Sequence, residues 1–206
     1  MGARLRELPH IVGGELRLAP QDAAARDYVM SIGRITGLEL AVIYDAETGA
    51  EIERVTAGQT DRVQIGPRSL EAARLRRQLV LHHNHPSGGS LSALDIQCLG
   101  LTRSIFAHGH DGSCYFASRA GGAGDLWLRI GASLKGRLGE AIADGSILRH
   151  EASILYAHLV NCTLARVGAI RYLAILGPGA ELAFADNRKF LLRLIRETSG
   201  YHARAA

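Results

Sequence analysis

Positions 79 to 96 read LVLHHNHPSGGSLSALDI, an apolar run that ends in three histidines within four positions. Leu79-Val80-Leu81 reads as a buried strand, preceded by the helical stretch RSLEAARLRR. The strand ends in His82, His83 and His85; Pro86 and the Gly88-Gly89 pair then impose a turn, and a helix is expected from about Ser92 to Leu101. Side chains two apart on a strand share a face, so His83 and His85 converge while His82 points to the opposite side, where it packs or hydrogen-bonds. Two neutral imidazoles suit Zn²⁺, whose catalytic sites add a third protein ligand and leave one position open. Asp95, in the first turn of the following helix, is the candidate for that third ligand. The same residue also completes a capping box with Ser92, and the two readings are compatible.

Working outward, helices alternate with strands. GELRL reads as a short strand and leads into a helix with Pro20 in its first turn and Ala25, Val29 and Ile32 on one face. LELAVIYD and AEIERVTAG, joined by turn chemistry, predict a β-hairpin. RVQIG predicts a further short strand, and SIFAHGHDGSCYFAS a hairpin turning at Asp111-Gly112. The expected organisation is a mixed α/β domain over 1–118, a Gly-rich linker over 119–124 and a mainly helical C-terminal extension over 125–206. Helices are expected near 125–143, 147–168 and 185–198, with GAIRYLAILGPGAELAFAD between them ambiguous.

Composition bounds the class. A chain of 206 residues with 47% hydrophobic content can bury a substantial core. Its net charge of +4 permits contact with nucleic acid, but the arginines are spread without a like-charged block, so no nucleic-acid partner is indicated. Cys98, Cys114 and Cys162 have neither CxxC spacing nor an even count, which fits a reducing compartment. With no apolar run long enough to span a bilayer and no signal-peptide pattern, the expectation is a cytoplasmic protein without a membrane partner, secretion by a signal-independent route aside.

HNHPSGG, followed by Ser92-x-x-Asp95, resembles the signature of the JAB/MPN (JAMM) zinc metalloprotease superfamily, and its letters look most like the prokaryotic, RadC-type and toxin- or phage-associated branches. The resemblance spans roughly residues 15 to 118. It implies a cytidine-deaminase-like mixed sheet with flanking helices, Zn²⁺ on His83, His85 and Asp95, and an upstream glutamate at the start of a strand. Glu39 occupies that place; Glu47, Glu51, Glu53 and Glu71 are rivals that read as solvated. On this pattern Glu39 is the general base and Ser92 the oxyanion donor, a role worth on the order of 3 kcal/mol. The six residues between His85 and Ser92 are one fewer than in the best-known peptidases. The Ser-x-x-Asp unit is shifted as a whole, and Ser90 is the alternative serine.

The implied activity is metal-dependent hydrolysis of an amide or isopeptide bond in a protein or peptide substrate, ubiquitin-like proteins included. Competing classes are a RadC-like protein tied to DNA and a non-catalytic JAB scaffold. Elsewhere, His108-Gly-His110 reads as a hairpin tip, His150, Glu151 and His158 as a solvated or core-edge helix face, and the helical tail as docked on the core, a lid or a self-association element.

Overall fold

The computed structural model describes residues 18–119 and 124–204. Helix α1 (Pro20–Thr36) starts at its proline and stops at Gly37, whose left-handed backbone closes the last turn. Strands β1 (Leu40–Asp45) and β2 (Glu51–Thr56) form the expected hairpin, with the Asp45 carboxylate accepting hydrogen bonds from the Glu47 and Thr48 amides in the turn. Helix α2 (Pro67–Arg74), strand β3 (Leu79–His85), helix α3 (Ala93–Cys98) and the hairpin β4 (Ser104–Gly109) and β5 (Cys114–Arg119) follow in order. Beyond them come α4 (Gly124–Ala143), α5 (Arg149–Arg166), β6 (Ile170–Ile175), α6 (Pro178–Asp186) and α7 (Arg188–Arg204). No helix among the described residues is long and apolar enough to cross a membrane.

The six strands form one mixed sheet in the order β2-β1-β3-β4-β5-β6, in which β3 and β4 run parallel and the other pairs antiparallel. Alternation divides its side chains between two layers. Leu40 and Val42 pack with Ala25 and Val29 of α1 on one face. On the other, Ala41, Ile43, Leu79, Leu81, Ile105 and Ala107 join a core that runs on through Ile130, Leu134, Leu155, Leu159 and Leu191. The apolar stripe expected on α1 is therefore the one that is used, with Ile32 packed at its margin.

Most of GELRL lies outside the described residues. RVQIG is not a strand: Val63 and Ile65 turn inward to the core as their alternation suggests, but their backbone pairs with no strand and runs past as an irregular segment. The ambiguous C-terminal stretch contributes β6, which lies against β5 from Cys114↔Ile175 to Arg119↔Ile170, so sheet and core continue across the position expected for a linker, where residues 120–123 lie outside the described chain. Finally, the single helix expected at 185–198 is the longer α7, with the separate α6 ahead of it.

One close approach fixes how α1 sits on the sheet. Gly33 is buried against Asn84 of β3, and a methyl group there would run into the Asn84 amide. Asn84 is itself fully buried and hydrogen-bonded, so it has little room to yield. Gly33→Ala should therefore destabilise the protein by about 1–3 kcal/mol, despite alanine's better helix propensity, as read from the midpoint of urea unfolding.

Candidate metal centre

Strand β3 carries the centre and the sheet register completes it. Ala41 of β1 lies opposite His83, and continuing this antiparallel ladder brings Glu39 opposite His85, on the same face as both histidines. Next door, β4 sets Ala107 and Gly109 beside His83 and His85, small residues that leave the imidazoles room. The Nε2 atoms of His83 and His85 lie 2.8 Å apart. Glu39 Oε1 is 3.7 Å from the first and 3.8 Å from the second. Glu39, His83 and His85 thus form a group that could hold a metal ion. Asp95 stands beside them, with Oδ1 3.2 Å from His83 Nε2 and Oδ2 3.6 Å from His85 Nε2.

Each member is aimed by its surroundings. His85 Nδ1 lies 2.6 Å from the Gly89 carbonyl; a proton donated there leaves the Nε2 lone pair facing the other ligand atoms. His83 is fully buried, and its Nδ1 has no partner among the described residues. Asp95 closes the capping box: its Oδ2 accepts the Ser92 amide at 2.6 Å, while the Ser92 Oγ accepts the Asp95 amide at 3.3 Å. The capping reading of the Ser-x-x-Asp unit is thus shown directly, and Asp95 also lies near both imidazoles. The Ser92 hydroxyl keeps its own proton to donate and opens, with Glu39, His85 and Asp95, onto a cleft of about 190 Å³ bordered by Arg62 and Leu94.

Glu39 is held from both sides. Its amide donates to the Gln59 carbonyl at 2.7 Å and its carbonyl accepts from Thr56 Oγ1 at 2.9 Å. The Asn84 side chain then grips both neighbours, accepting from the Leu40 amide at 2.8 Å and donating to the Leu38 carbonyl at 3.0 Å. Asn84 lies between the two site histidines in sequence but faces the opposite side of the sheet. Nothing in the sequence marks it, because a polar residue between two candidate ligands gives no hint of a backbone clamp.

The two carboxyl groups are pushed in opposite directions. Burial raises Glu39 from 4.5 to about 7, helped by the nearby Asp95 and Asp61 charges and opposed by His85. Asp95 is also penalised by burial, but His83, His85 and the Ser92 amide outweigh that and hold it well below the usual carboxylate range. Burial, with His83 nearby, lowers His85 below the ordinary imidazole value and so favours its neutral, ligating form.

The rivals and decoys have other occupations. Glu47 is exposed, and Glu51 and Glu71 pair with Arg54 and Arg74 at the surface. Glu53 is not solvated: it is buried and accepts both the Ser69 amide and the Ser69 hydroxyl, capping α2 from the neighbouring strand. His82 points away from the centre as expected and bonds Asp22 and His108, both at 2.9 Å, while stacking on Phe106. His108 is thus a buried strand residue and not a hairpin tip, since the turn lies beyond it at Asp111-Gly112. His158 is likewise not a solvated or edge residue; it is buried on α5 against Tyr172. Ser90, the alternative serine, is buried with its hydroxyl committed to Tyr172 at 2.7 Å.

Comparisons of the chain with protein-family models, with curated proteins and with solved structures found no match.

The raised Glu39 makes a signed prediction for the protein kept free of metal. A carboxyl whose folded value exceeds its unfolded value contributes stability that is complete below about 4.5 and is lost as pH rises through about 7. Glu39→Gln removes that loss. The stability of the variant relative to the parent should therefore rise between pH 4.5 and 7 and level off above, as read from paired urea titrations in chelator.

Proposed function

We propose that the protein is a zinc-dependent hydrolase of amide or isopeptide bonds, of JAMM type, acting on a protein or peptide substrate. The observation that carries this reading is the meeting of two ring nitrogens 2.8 Å apart with two carboxyl groups of opposed acidity beside an open cleft. The donor set fits zinc: two imidazoles, one of them with its far nitrogen paired to a carbonyl, and a carboxylate that stays charged. His83, His85 and Asp95 would hold the ion. When bound, Zn²⁺ supplies a Lewis acid that activates water at neutral pH and polarises a carbonyl.

The chain's own groups divide the remaining work. Separated acidities are what distinguish an acid–base residue from a charged ligand. Asp95, held anionic, suits the ligand role. Glu39, poised near neutrality, suits proton transfer: its carboxylate takes a proton from the attacking water as the water oxygen bonds to the carbonyl carbon. It then returns that proton to the amine as the C–N bond breaks. The Ser92 hydroxyl, open to the cleft, donates a hydrogen bond to the carbonyl oxygen while it carries negative charge. Ser92 lines the cleft and also caps α3.

Chelator-treated protein should be inactive and regain cleavage of a peptide or isopeptide substrate on addition of Zn²⁺. Glu39→Gln should retain zinc and lose about 10²–10⁴-fold in kcat. His83→Ala and His85→Ala should lose the metal itself, as measured by zinc content after dialysis. Zinc bound by the parent with no cleavage of any amide substrate, and salt-sensitive DNA binding that survives chelation, would replace this reading with the RadC-like one.

A further inference from the structure

Among the described residues, the His85 Nδ1 is partnered by one backbone carbonyl, that of Gly89, in a loop carrying two consecutive glycines. Such a loop has little stiffness of its own. Two groups of side chains hold it. From β5, Tyr115 Oη donates to the Gly88 carbonyl at 3.1 Å, and the Ser113 hydroxyl, 2.7 Å from the Asp111 carboxylate, packs 3.1 Å from the same carbonyl. The second group comes from far along the chain. Asn161 of α5 donates its Nδ2 to the Leu91 carbonyl at 2.8 Å and to Ser90 Oγ at 3.1 Å, and Tyr172 of β6 bonds Ser90 Oγ at 2.7 Å.

The second group is built for direction as well as for filling space. The Trp127 indole N–H donates to Asn161 Oδ1 at 3.1 Å, which fixes the amide so that its NH₂ faces the loop. Tyr172 Oη is anchored in turn by His158 Nδ1 at 3.0 Å, and burial lowers that histidine to about 4, keeping it neutral. Asn161, Tyr172, His158 and Ser90 are all buried, so these bonds meet no competition from bulk solvent. The Gly89 carbonyl thus lies between segments fastened at Gly88 on one side and at Ser90 and Leu91 on the other.

We propose that Asn161 and Tyr172 are positioning residues of the metal centre, acting through Ser90 and Leu91 to hold the Gly89 carbonyl against His85. This inference rests on the zinc reading above and extends it: the C-terminal helices and β6 are part of what makes the centre bind.

The test measures Zn²⁺ affinity of the full chain by competition with a chromogenic chelator, for the parent, Asn161→Ala, Tyr172→Phe and the double variant. Tyr172→Phe keeps the ring and removes only the hydroxyl. Leu155→Ala serves as a control, since it opens a cavity on the same helix at a side chain that makes no hydrogen bond to the loop. Loss of an outer partner of a metal-binding histidine typically weakens binding about 10–100-fold. Each single variant should fall in that range, with the double well short of the product because both act on one short segment. Leu155→Ala should bind zinc like the parent despite its lower thermal midpoint. If the parent binds zinc and the Asn161 and Tyr172 variants bind it equally well, or if Leu155→Ala weakens binding as much as they do, the positioning role is overturned while the zinc reading stands. If the parent itself binds no zinc, the reading beneath the inference fails and takes the inference with it.

Discussion

The antiparallel ladder between β1 and β3 is the constraint on which the rest depends. It sets Ala41 against His83, and through that pairing it brings a glutamate from one strand end and two histidines from the other onto one face. A slip of one residue would turn His83 and His85 toward α1 and leave His82 alone facing Asp95. Both faces of the strand resist such a slip. Towards α1, Asn84 bonds the backbone on either side of Glu39, and His82 sits between Asp22 and His108. Towards the large core, Leu79 and Leu81 are fully packed. Gly33 belongs to the same constraint, because only a residue without a side chain lets α1 approach Asn84 so closely.

How much of this could be read from the sequence follows the range of the interactions. Alternation along β3 separated His83 and His85 from His82, and the Ser92–Asp95 spacing marked a helix start; both depend on residues within four positions of one another. The mixed α/β sheet with helices after it was legible for the same reason. Groups whose partners lie far along the chain were not. Glu53 read as solvated because its partner, Ser69, sits sixteen residues on. His158 and Asn161 lie on a helix with little amphipathic character, where polar residues suggest a wet face until Trp127, Ser90 and Tyr172 are brought to them. β6 was ambiguous because a short, mostly apolar stretch suits strand or helix equally until a sheet edge is there to receive it.

The two carboxyl groups show how position, and not residue type, sets chemical behaviour. Both are buried within 4 Å of the same imidazole nitrogens. One accepts a backbone amide at the start of a helix and stays charged; the other comes from the chain just ahead of a strand, has its backbone groups fastened and its carboxyl left without such a donor, and is easily protonated. His83 and His85, helped by the amide of the α3 cap, hold Asp95 charged, whereas burial raises Glu39.

The place of β6 at the far edge of the sheet also bears on the order in which the molecule is put together. Strands β1 to β5 and the histidine-bearing loop are complete by residue 119, yet two of the groups that grip that loop belong to residues 161 and 172. During synthesis from the N-terminus, the histidines emerge long before those partners exist. Until then the loop is held only from the β5 side, through Tyr115 and the Gly88 carbonyl, and the contacts at Ser90 and Leu91 are made only as α5 and β6 arrive.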